Sequence, residues 1–402
     1  MKEMRTNIIR IGIYIGKGFL NILYFFVKMF PTRNKVLMLS RQSDNPSIDF
    51  NYIKEEILKR TDNVEVTILC KILRKTAKER LKYCLYIIKC MYHIATSKVC
   101  ILDGYSIPIS ILKHKKSLTI IQIWHASGAI KKFGYQSINK KEGRGIQIAK
   151  IMKMHKNYNF VMAPSNATSE FYKEAFGIEN DKIVIMGLPR LDYILGDEKS
   201  EEKTKDFYLD YPKYKEKKTI LYVPTFRKDI EDSEKINQLI NSVNFSKYNL
   251  IIKLHPLDKT KNASKYTVNK KYNTYDLIRI ADYIITDYSA VAFETAILDK
   301  PVYFYVYDID EYKKARGLNV KLFKEMNNNT SKNIKEIMIS IENNTYDFDE
   351  LNEFKMKYMG NDYYNNTSKL VDFVFKYLDK DVKDEEKVKE NINESSKEEL
   401  NV

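Results

Sequence analysis

Residues 119–128, TIIQIWHASG, form a short apolar run that ends in the chain's single tryptophan, a histidine and a turn of small residues. The run 119–124 is rich in isoleucine, which is typical of a strand buried on both faces of a parallel sheet. Ligands of open parallel sheets bind beyond the carboxyl ends of the strands. A strand that delivers His125 into a glycine-containing loop therefore indicates a functional site, with Trp124 expected to pack behind the imidazole.

Similar apolar runs recur along the chain and alternate with longer stretches of helical period. This alternation predicts an α/β fold of parallel strands covered by helices on both faces. The polar segment 196–218 divides the runs into two series, and 402 residues exceed the usual size of one core, so two doubly wound domains are expected. The predicted strands are 36–40, 64–70, 99–103, 119–124, 160–163 and 183–186, then 219–224, 249–254, 283–286 and 302–306.

The chain carries a formal charge of +15, from 68 Lys and Arg against 53 Asp and Glu. Such an excess favours an anionic partner: a nucleotide, a phosphorylated polymer or an acidic membrane surface. Alternatively, the many lysines, asparagines and isoleucines reflect only the base composition of the gene. No basic stripe interleaves with a recognisable nucleic-acid-binding module, so nucleic acid is not an expected partner.

The four cysteines show no metal-ligand spacing, and each lies in an apolar run. Apolar surroundings predict thiols that behave as small buried hydrophobes in a reducing compartment, without a zinc site. These cysteines are Cys70, Cys84, Cys90 and Cys100.

Residues 8–30, IIRIGIYIGKGFLNILYFFVKMF, are about long enough to span a bilayer, but four polar residues interrupt them. This pattern favours a helix that lies in the membrane interface with its aromatic rings immersed. An apolar helix packed on the body of the protein is the alternative. No small-residue cleavage site follows, so a removed signal peptide is not expected. The four interruptions are Arg10, Lys17, Asn21 and Lys28.

Polar residues follow several predicted strands in each half of the chain. Because parallel strands end at one edge of a sheet, these residues are expected to line a cleft. In the first half they are His125, then Ser165 in MAPSN, then Gly187, Pro189 and Arg190 in MGLPRLD. In the second half they are Thr225 and Arg227 in VPTFR, His255 in LHP, and Asp287 and Ser289 in TDYS.

The stretch TDYSAVAFE predicts a helix capped by Asp287 or Ser289, whose free first-turn amides suit an anion. Glu294 follows about a turn and a half later, where its carboxylate could reach sugar hydroxyls. An ordinary capped helix with an exposed glutamate is the alternative.

Five histidines occur in the chain, and two of them, His125 and His255, end strands in different halves. They are therefore expected to face each other across an interdomain cleft. The others, His93, His114 and His155, lie in helical or basic stretches and are expected at the surface.

The motifs IWHASGAIKKFG, GLPRLD, VPTFR, LHP and ITDYSAVAFE resemble, in order and spacing, those of the CDP-glycerol glycerophosphotransferase family. This family includes the membrane-associated primases and polymerases of wall teichoic acid synthesis, with ribitol-phosphate relatives. The resemblance covers roughly residues 95–375. It implies a GT-B-like fold, in which two Rossmann-type parallel-sheet domains face each other across a cleft, with an N-terminal apolar helix added here.

The resemblance also implies a division of the chain into five segments. Residues 1–35 would be a membrane-associating segment, 36–200 a Rossmann-like acceptor domain, and 201–355 a Rossmann-like domain that binds the CDP-polyol. A C-terminal helix in 356–378 would cross back to the first domain. The charged tail 379–402 has few large apolar residues and is expected to be disordered.

The activity implied is transfer of glycerol phosphate or ribitol phosphate from CDP-glycerol or CDP-ribitol to a hydroxyl of a lipid-linked teichoic acid acceptor, with release of CMP. The enzyme would be peripheral or monotopic on the cytoplasmic face of the cell membrane. His125 matches the family's base and His255 its second active-site histidine. Thr225, Arg227, Ser289 and Glu294 match donor-binding positions, and Asp287 belongs to the same motif. This chain has HASGA where many members have His-Gly-Thr-Pro.

The residue chemistry agrees with these roles. A neutral imidazole can accept the alcohol proton, and the planar fork of Arg227 suits two phosphate oxygens. No DxD pair of carboxylates occurs near the donor motifs, so no cofactor is required, although Mg²⁺ is compatible. A basic loop after His125 would hold a polyanionic acceptor or form a solvated helical face. Its cations are Lys131, Lys132, Lys140, Lys141, Arg144, Lys150, Lys153 and Lys156.

Two other classes of protein share these features. A GT-B glycosyltransferase would use the same cleft for a nucleotide sugar and act on a cell-envelope polymer. A membrane-surface protein without catalytic activity is the second alternative, against which the two histidines and Arg227 argue.

Overall fold

The structure, a computed structural model, describes residues 2–74, 76–227, 233–255 and 263–379, with side chains from residue 10 onward. Its first sheet contains six parallel strands in the order β2-β1-β3-β4-β5-β6. These strands are Arg33–Ser40 (β1), Glu65–Cys70 (β2), Ser97–Leu102 (β3), Thr119–Gln122 (β4), Phe160–Ala163 (β5) and Ile183–Ile185 (β6).

The second sheet contains five parallel strands in the order β11-β10-β9-β7-β8. The ten strands predicted from the sequence are present, which confirms two parallel-sheet domains. Only two residues long, β11 is too short to leave a sequence pattern. The strands are Lys218–Tyr222 (β7), Tyr248–Ile252 (β8), Tyr283–Thr286 (β9), Val302–Tyr305 (β10) and Thr330–Ser331 (β11).

Helices cover both faces of each sheet. They are Lys2–Val27 (α1), Ile48–Arg60 (α2), Ala77–Ala95 (α3), Ile107–Ile111 (α4), Ile146–Ile151 (α5), Asn166–Phe176 (α6), Arg190–Gly196 (α7), Glu198–Asp210 (α8), Ser233–Ser242 (α9), Thr274–Ile280 (α10), Val291–Ala296 (α11), Ile309–Ala315 (α12), Leu322–Glu325 (α13), Ile334–Asn343 (α14), Phe348–Met359 (α15) and Asn366–Leu378 (α16). Short 3-10 turns lie at Gly134–Ser137, Asn180–Lys182, Pro212–Lys215 and Ser264–Tyr266.

Alternate residues of the central strands pack on opposite faces. Along β1, Leu37 and Leu39 enter one buried cluster, while Val36 and Met38 enter another. Because both faces are covered, the strands read as continuous apolar runs rather than as alternating ones. The sequence prediction depended on this feature.

The two sheets share one topology. In each, the first strand of the half lies between the second and third: β1 between β2 and β3, and β7 between β8 and β9. A reversal of strand order opens a crevice at the carboxyl ends of the two strands that flank it. The fold therefore offers two ligand crevices: one after β1 and β3, and one after β7 and β9. We call these the first and the second switch point.

Helix α1 lies along the first domain with one side against it. Lys17 Nζ donates to the carbonyl of Ile151 (3.3 Å), and Asn21 Nδ2 donates to that of Ile111 (3.2 Å). Two of the four polar interruptions thus face the protein, which leaves an apolar outer side. By length and composition, residues 10–27 would suffice to cross a membrane. The exposed apolar residues include Ile11, Ile15, Phe19, Ile22, Phe26 and Met29.

The chain returns to the first domain at its end. Helix α15 packs against both α11 and α6, and α16 packs against α2 and β3. The carboxylate of Asp192 holds the start of α16 by accepting hydrogen bonds from the amides of Asn366 (2.9 Å) and Thr367 (2.8 Å). Apart from Asp379, the tail predicted to be disordered lies outside the described residues.

The expectation that three histidines are surface residues is wrong. His155 is only 4% exposed, and its ring packs 4.7 Å from that of Phe176, centroid to centroid. His93 and His114 are half-buried. The imidazole rings pack inward although basic residues lie near them in sequence, which charge counting along the chain does not reveal.

The cysteine prediction is correct for half of the thiols. Cys90 and Cys100 are buried, Cys70 is half-buried and Cys84 is exposed. Cys84 lies on α3, whose outer side carries further exposed apolar residues. An apolar run there forms surface rather than core.

Candidate active site

The loop after β4 presents the His125 ring at the first switch point. The ring nitrogen Nδ1 lies 2.9 Å from the carbonyl oxygen of Asp103, at the end of β3, and 3.1 Å from the side-chain amide of Gln42, after β1. Since a carbonyl oxygen only accepts, the shorter contact, to Asp103, places the proton on Nδ1 and leaves the lone pair on Nε2. In this tautomer the amide nitrogen of Gln42 cannot donate to the ring. The half-buried His125 is thus held in the tautomer that a general base needs.

The backbone that delivers His125 is strained. Trp124 has a φ of 61°, in the left-handed region that bulky residues rarely adopt. Its indole lies 4.1 Å from the His125 ring and 4.7 Å from that of Phe133, measured between centroids. As predicted, the tryptophan packs behind the imidazole, and this packing holds the unusual conformation in place.

Burial, together with the nearby cations Arg190, Lys131 and Arg316, lowers the pKa of His125 to about 4, against the hydrogen bond to Asp103. The imidazole is therefore neutral at pH 7. An anionic substrate bound beside it would favour the imidazolium and raise this pKa.

Residues 126–128 connect His125 to the second domain. Ser127 Oγ donates to Glu294 Oε1 (3.1 Å), and a Cβ on Gly128 would lie 2.4 Å from Phe293 Cδ2. Glu294 and Phe293 belong to α11, which follows the second switch point. The small residues of HASG thus allow the first domain to contact this helix directly.

Arg190 is the hub of the contact between the domains. It is 4% exposed and pairs with Asp49 of α2 through Nε and Nη2. Its Nη1 donates to the carbonyl of His125 (2.8 Å) and to the hydroxyl of Tyr275 (2.7 Å), and lies 3.6 Å from Glu294. The predicted cleft residue Arg190 therefore fixes the position of His125 relative to the second domain.

Glu294 is only 2% exposed. Burial raises the pKa of its carboxyl, against the attraction of Arg190 and the hydrogen bond from Ser127. The structure places this side chain between the domains, and its donor-binding role stays a prediction.

At the second switch point, the loop after β7 is tied to the loop after β9. The Asp287 carboxylate accepts from the amide of Thr225 (2.9 and 3.0 Å). Arg227 donates from Nε (2.6 Å) and Nη2 (2.9 Å) to Asp308, and its Nη1 lies 2.9 Å from Asp287 Oδ2. The fork that was expected to bind phosphate is thus held by two carboxylates, and its phosphate-binding role stays a prediction.

Two hydroxyl groups remain at this switch point. The Oγ1 of Thr225 is buried and has no hydrogen-bond partner within the described ranges. Ser289 is half-buried, and its Oγ accepts weakly from the amide of Val291 (3.4 Å). The predicted cap by Asp287 or Ser289 is wrong, because α11 starts later, with Ala290 as its N-cap.

His255 follows β8 and is exposed, with its ring 5.1 Å from that of Phe226 between centroids. Phe226 lies between Thr225 and Arg227, so this histidine borders the loop of the second switch point. Its catalytic role stays a prediction.

The segment after His125 crosses to the second domain as a short bridge. The amide of Lys132 donates to the carbonyl of Gly317 (3.0 Å), and that of Asn319 donates to Ile130 (2.8 Å). Between these bonds, Lys131 is half-buried, and within the described part of the chain no carboxylate lies within 4.0 Å of its ammonium.

The ammonium of Lys131 has a pKa close to neutral pH. Burial, together with the nearby Arg316 and Arg227, lowers its pKa to about 8, against the attraction of Asp287. Lys131 is therefore a cation at pH 7, placed by the first domain beside the charged groups of the second switch point.

The other predicted cleft residues lie where the chain crosses back. Ser165 caps α6 and donates to the carbonyl of Tyr358 (3.0 Å). Gly187 leaves room for Asn366, whose Oδ1 would lie 2.2 Å from an added Cβ. Ser165 and Gly187 line a cavity of ≈ 420 Å³ beside residues 356–362, whereas Pro189 precedes Arg190 as the N-cap of α7.

Sequence reasoning missed several residues that shape the site. Gln42 and Asp103 follow or end predicted strands, so the strand-end rule could have identified them. Asp308 likewise follows the predicted strand 302–306 by two residues, so the same rule could have identified it. Asp49 gave no such signal, because it lies in α2 and became relevant only when Arg190 approached it.

Known proteins resemble this chain over most of its length. The profile of the CDP-glycerol:poly(glycerophosphate) glycerophosphotransferase family matches residues 22–376. The teichoic acid ribitol-phosphate primase of Bacillus spizizenii is 30% identical over 357 residues, which cover 86% of this chain and 92% of that protein. The teichoic acid glycerol-phosphate primase of Bacillus subtilis is 34% identical over 243 residues, 58% of this chain and 62% of that one.

The fold also has a solved counterpart. The wall teichoic acid polymerase TagF superposes with a TM-score of 0.70, covering 94% of this chain and 98% of that one at 18% identity. This likeness confirms the GT-B-like arrangement, and none of these relatives favours a nucleotide-sugar glycosyltransferase. The chain therefore belongs to the CDP-glycerol:poly(glycerophosphate) glycerophosphotransferase family and is a transferase of polyol phosphate from CDP-polyols.

Proposed function

We propose that His125 is the general base in a transfer of glycerol phosphate or ribitol phosphate to a hydroxyl of a lipid-linked teichoic acid acceptor. The observation that carries this proposal is the Nδ1 hydrogen bond to the Asp103 carbonyl, which leaves Nε2 able to accept a proton. The neutral state favoured by burial makes the base available without prior deprotonation.

The reaction is a substitution at the phosphorus that carries the polyol. The acceptor hydroxyl oxygen forms a bond to this phosphorus, and the bond from phosphorus to the bridging oxygen of the diphosphate breaks. The hydroxyl proton passes to His125 Nε2, and CMP leaves with the electron pair of the broken bond. Negative charge grows on the departing phosphate, so a nearby cation lowers the barrier.

For the donor site we propose the second switch point. Thr225 Oγ1 supplies a buried hydroxyl without a described partner, and Lys131 supplies a cation from across the cleft. His255, beside Phe226, would protonate or neutralise the departing CMP phosphate. The proposal needs no cofactor, and Mg²⁺ enters only as an optional counter-ion of the diphosphate.

We further propose that the protein binds the cytoplasmic face of the membrane through α1 and α3 together. The two helices pack against each other, and both expose apolar side chains. Lysines such as Lys82 and Lys89 flank the apolar stripe of α3, as in helices that lie on anionic lipid. On α3 the stripe consists of Leu81, Cys84, Leu85 and Ile88.

Donor turnover tests the proposed reaction. Purified protein is incubated with a lipid-linked acceptor and, in separate assays, CDP-glycerol, CDP-ribitol or a UDP-sugar, and the released nucleotide is measured. We expect CMP from one CDP-polyol and no UDP. Release of UDP alone would overturn the proposal, and the CDP-polyol that reacts identifies the donor.

Vesicle flotation tests the membrane surface. Replacing Leu81 and Leu85 with glutamate should reduce binding to anionic vesicles, while the same change at Ile339, exposed on α14 of the second domain, should not. Equal binding of all three proteins would overturn the assignment of this surface.

A further inference from the structure

Two arginines converge on one tyrosine at the first switch point. Arg41 follows β1, and its Nη1 donates to the carbonyl of Tyr105 (3.1 Å), which follows β3. The guanidinium carbon of Arg41 lies 5.6 Å from the centre of the Tyr105 ring, and that of Arg144 lies 5.1 Å from it. Arg144 belongs to the basic loop after His125.

Among the described residues, neither guanidinium is paired with a carboxylate. In the ranges that the structure describes, no carboxylate lies within 4.0 Å of Arg41 or Arg144. The Nε of Arg41 is buried and has no hydrogen-bond partner there. Burying an unpaired donor of a charged group is costly, so such an arrangement persists where a ligand repays the cost.

The carboxylates nearest in sequence are engaged elsewhere. Asp44, three residues after Arg41, pairs with Arg74. Glu142, two residues before Arg144, lies 3.2 Å from Arg316. These two carboxylates are therefore not available to pair with Arg41 and Arg144.

The position of the pair connects the base with the membrane surface. Gln42, which contacts His125, is the residue after Arg41, and Asp103, which also contacts His125, lies two residues before Tyr105. On the other side, Arg41 and Tyr105 border a small cavity together with Tyr83 and Tyr86 of α3. Arg41 and Tyr105 thus lie between α3 and the residues that contact the imidazole, and Arg144 lies against the Tyr105 ring.

We propose that Arg41 and Arg144 form a subsite for a phosphodiester of the acceptor, which holds the acceptor hydroxyl at His125. This inference rests on the proposed function, because it assumes an acceptor that reaches the base from the membrane side. Guanidinium forks match pairs of phosphate oxygens, and the Tyr105 ring holds both forks in place.

Two soluble acceptors that differ by one charge test the subsite. One is an octyl phosphodiester of glycerol, and the other is the uncharged octyl glycerol ether. CMP release from CDP-glycerol, or from CDP-ribitol if that is the donor used, is measured with each acceptor. We expect wild-type kcat/KM to favour the diester by at least about ten-fold, since a charge-assisted hydrogen bond contributes on that scale.

The preference for the diester acceptor should disappear when both arginines are replaced. Arg144→Gln should weaken it, and the double variant with Arg41→Gln should abolish it while leaving the donor KM and the turnover of the ether unchanged. Arg33→Gln is the matched control, because Arg33 begins the same strand that Arg41 follows and lies at the opposite edge of the sheet. It should keep the full preference.

The outcomes separate the inference from the proposed function. Absence of CMP release from every CDP-polyol would overturn the proposed function and the subsite with it. Normal turnover with an intact diester preference in the double variant would overturn the subsite alone. A raised donor KM in the double variant would instead assign the arginines to the donor diphosphate. Reduced binding to anionic vesicles with an unchanged preference would assign them to a lipid headgroup.

Discussion

The two switch points share one strand topology but differ in how their charges are balanced. At the second, Arg227 is held by Asp308 and Asp287, so the cation arrives already paired. At the first, Arg41 has no described carboxylate partner and His125 keeps a lone pair. The first domain therefore offers groups that a substrate can still engage, whereas the second offers a frame in which the arginine is already bound by two carboxylates.

This difference indicates how a doubly anionic donor can be bound by a domain whose arginine is occupied. Lys131 is carried on the first domain but lies near Asp287 and Arg227 of the second. In the donor site proposed above, the cation that meets the diphosphate is therefore supplied across the cleft. Donor binding then strengthens the contact between the domains, because only their apposition brings Lys131 to the phosphate.

Removing the proposed base should have the largest effect on turnover. If it had no effect, the contrast drawn between the two switch points would no longer hold. We expect His125→Ala to lower kcat by about 10²–10⁴-fold, the usual contribution of a positioned base. In the wild type, kcat/KM for the donor should fall only towards about pH 4, where the free imidazole becomes protonated.

The matched control is His93→Gln, which alters a half-buried histidine at the end of α3, near the opposite edge of the sheet. It should keep wild-type turnover. If His125→Ala retained full turnover while its melting temperature was unchanged, the imidazole would have no chemical role. A catalytically inactive membrane protein would then fit better.

Removing a carboxylate partner of Arg227 tests how firmly this arginine is held at the second switch point. Asp308→Asn removes the bidentate partner of the buried Arg227, and breaking a buried ion pair should cost about 2–4 kcal/mol of unfolding free energy, measured in urea. Asp310→Asn is the control. Asp310 lies in the first turn of α12, which Asp308 precedes, and the change breaks its exposed pair with Lys332, so it should cost no more than about 1 kcal/mol.

The same variant reports on phosphate binding by Arg227. If the arginine leaves Asp308 to bind the donor, Asp308→Asn should lower the donor KM. An unchanged KM with reduced stability would support the frame described above. Reduced KM without loss of stability would contradict it, because the second switch point would then bind phosphate through its own cation.

The sequence predicted the parts of this molecule that local pattern controls. Ten strands and the strand-end position of His125 followed from apolar runs, because both faces of each sheet are buried. The switch points could not be derived from those runs, since strand order depends on which neighbour each strand meets. For the same reason, the partners of Arg227 and Arg190 were not predictable: Asp308 and Asp49 lie 81 and 141 residues away in the chain.

The smallest expected effect is on the donor KM and comes from replacing Lys131, the cation that the first domain places beside the second switch point. Lys131→Gln should raise the donor KM by about ten-fold, since one charge-assisted contact is lost. Lys132→Gln is the control. The alkyl chain of Lys132 packs over Gly317, and Lys132 contributes to the bridge through its backbone amide, so this change should leave the donor KM unchanged.

The pH dependence gives this prediction a second signature. Lys131 has its pKa lowered to about 8, so its ammonium is lost as pH rises through that value, and the wild-type donor KM should rise with it. The rise should approach the level of Lys131→Gln, because the neutral amine and the amide both lack the charge. In Lys131→Gln the KM should start high and remain flat between pH 7 and 9. A wild-type KM that stayed flat over the same range would mean that the diphosphate is neutralised within the second domain alone, and the contrast between the two switch points would then have no bearing on donor binding.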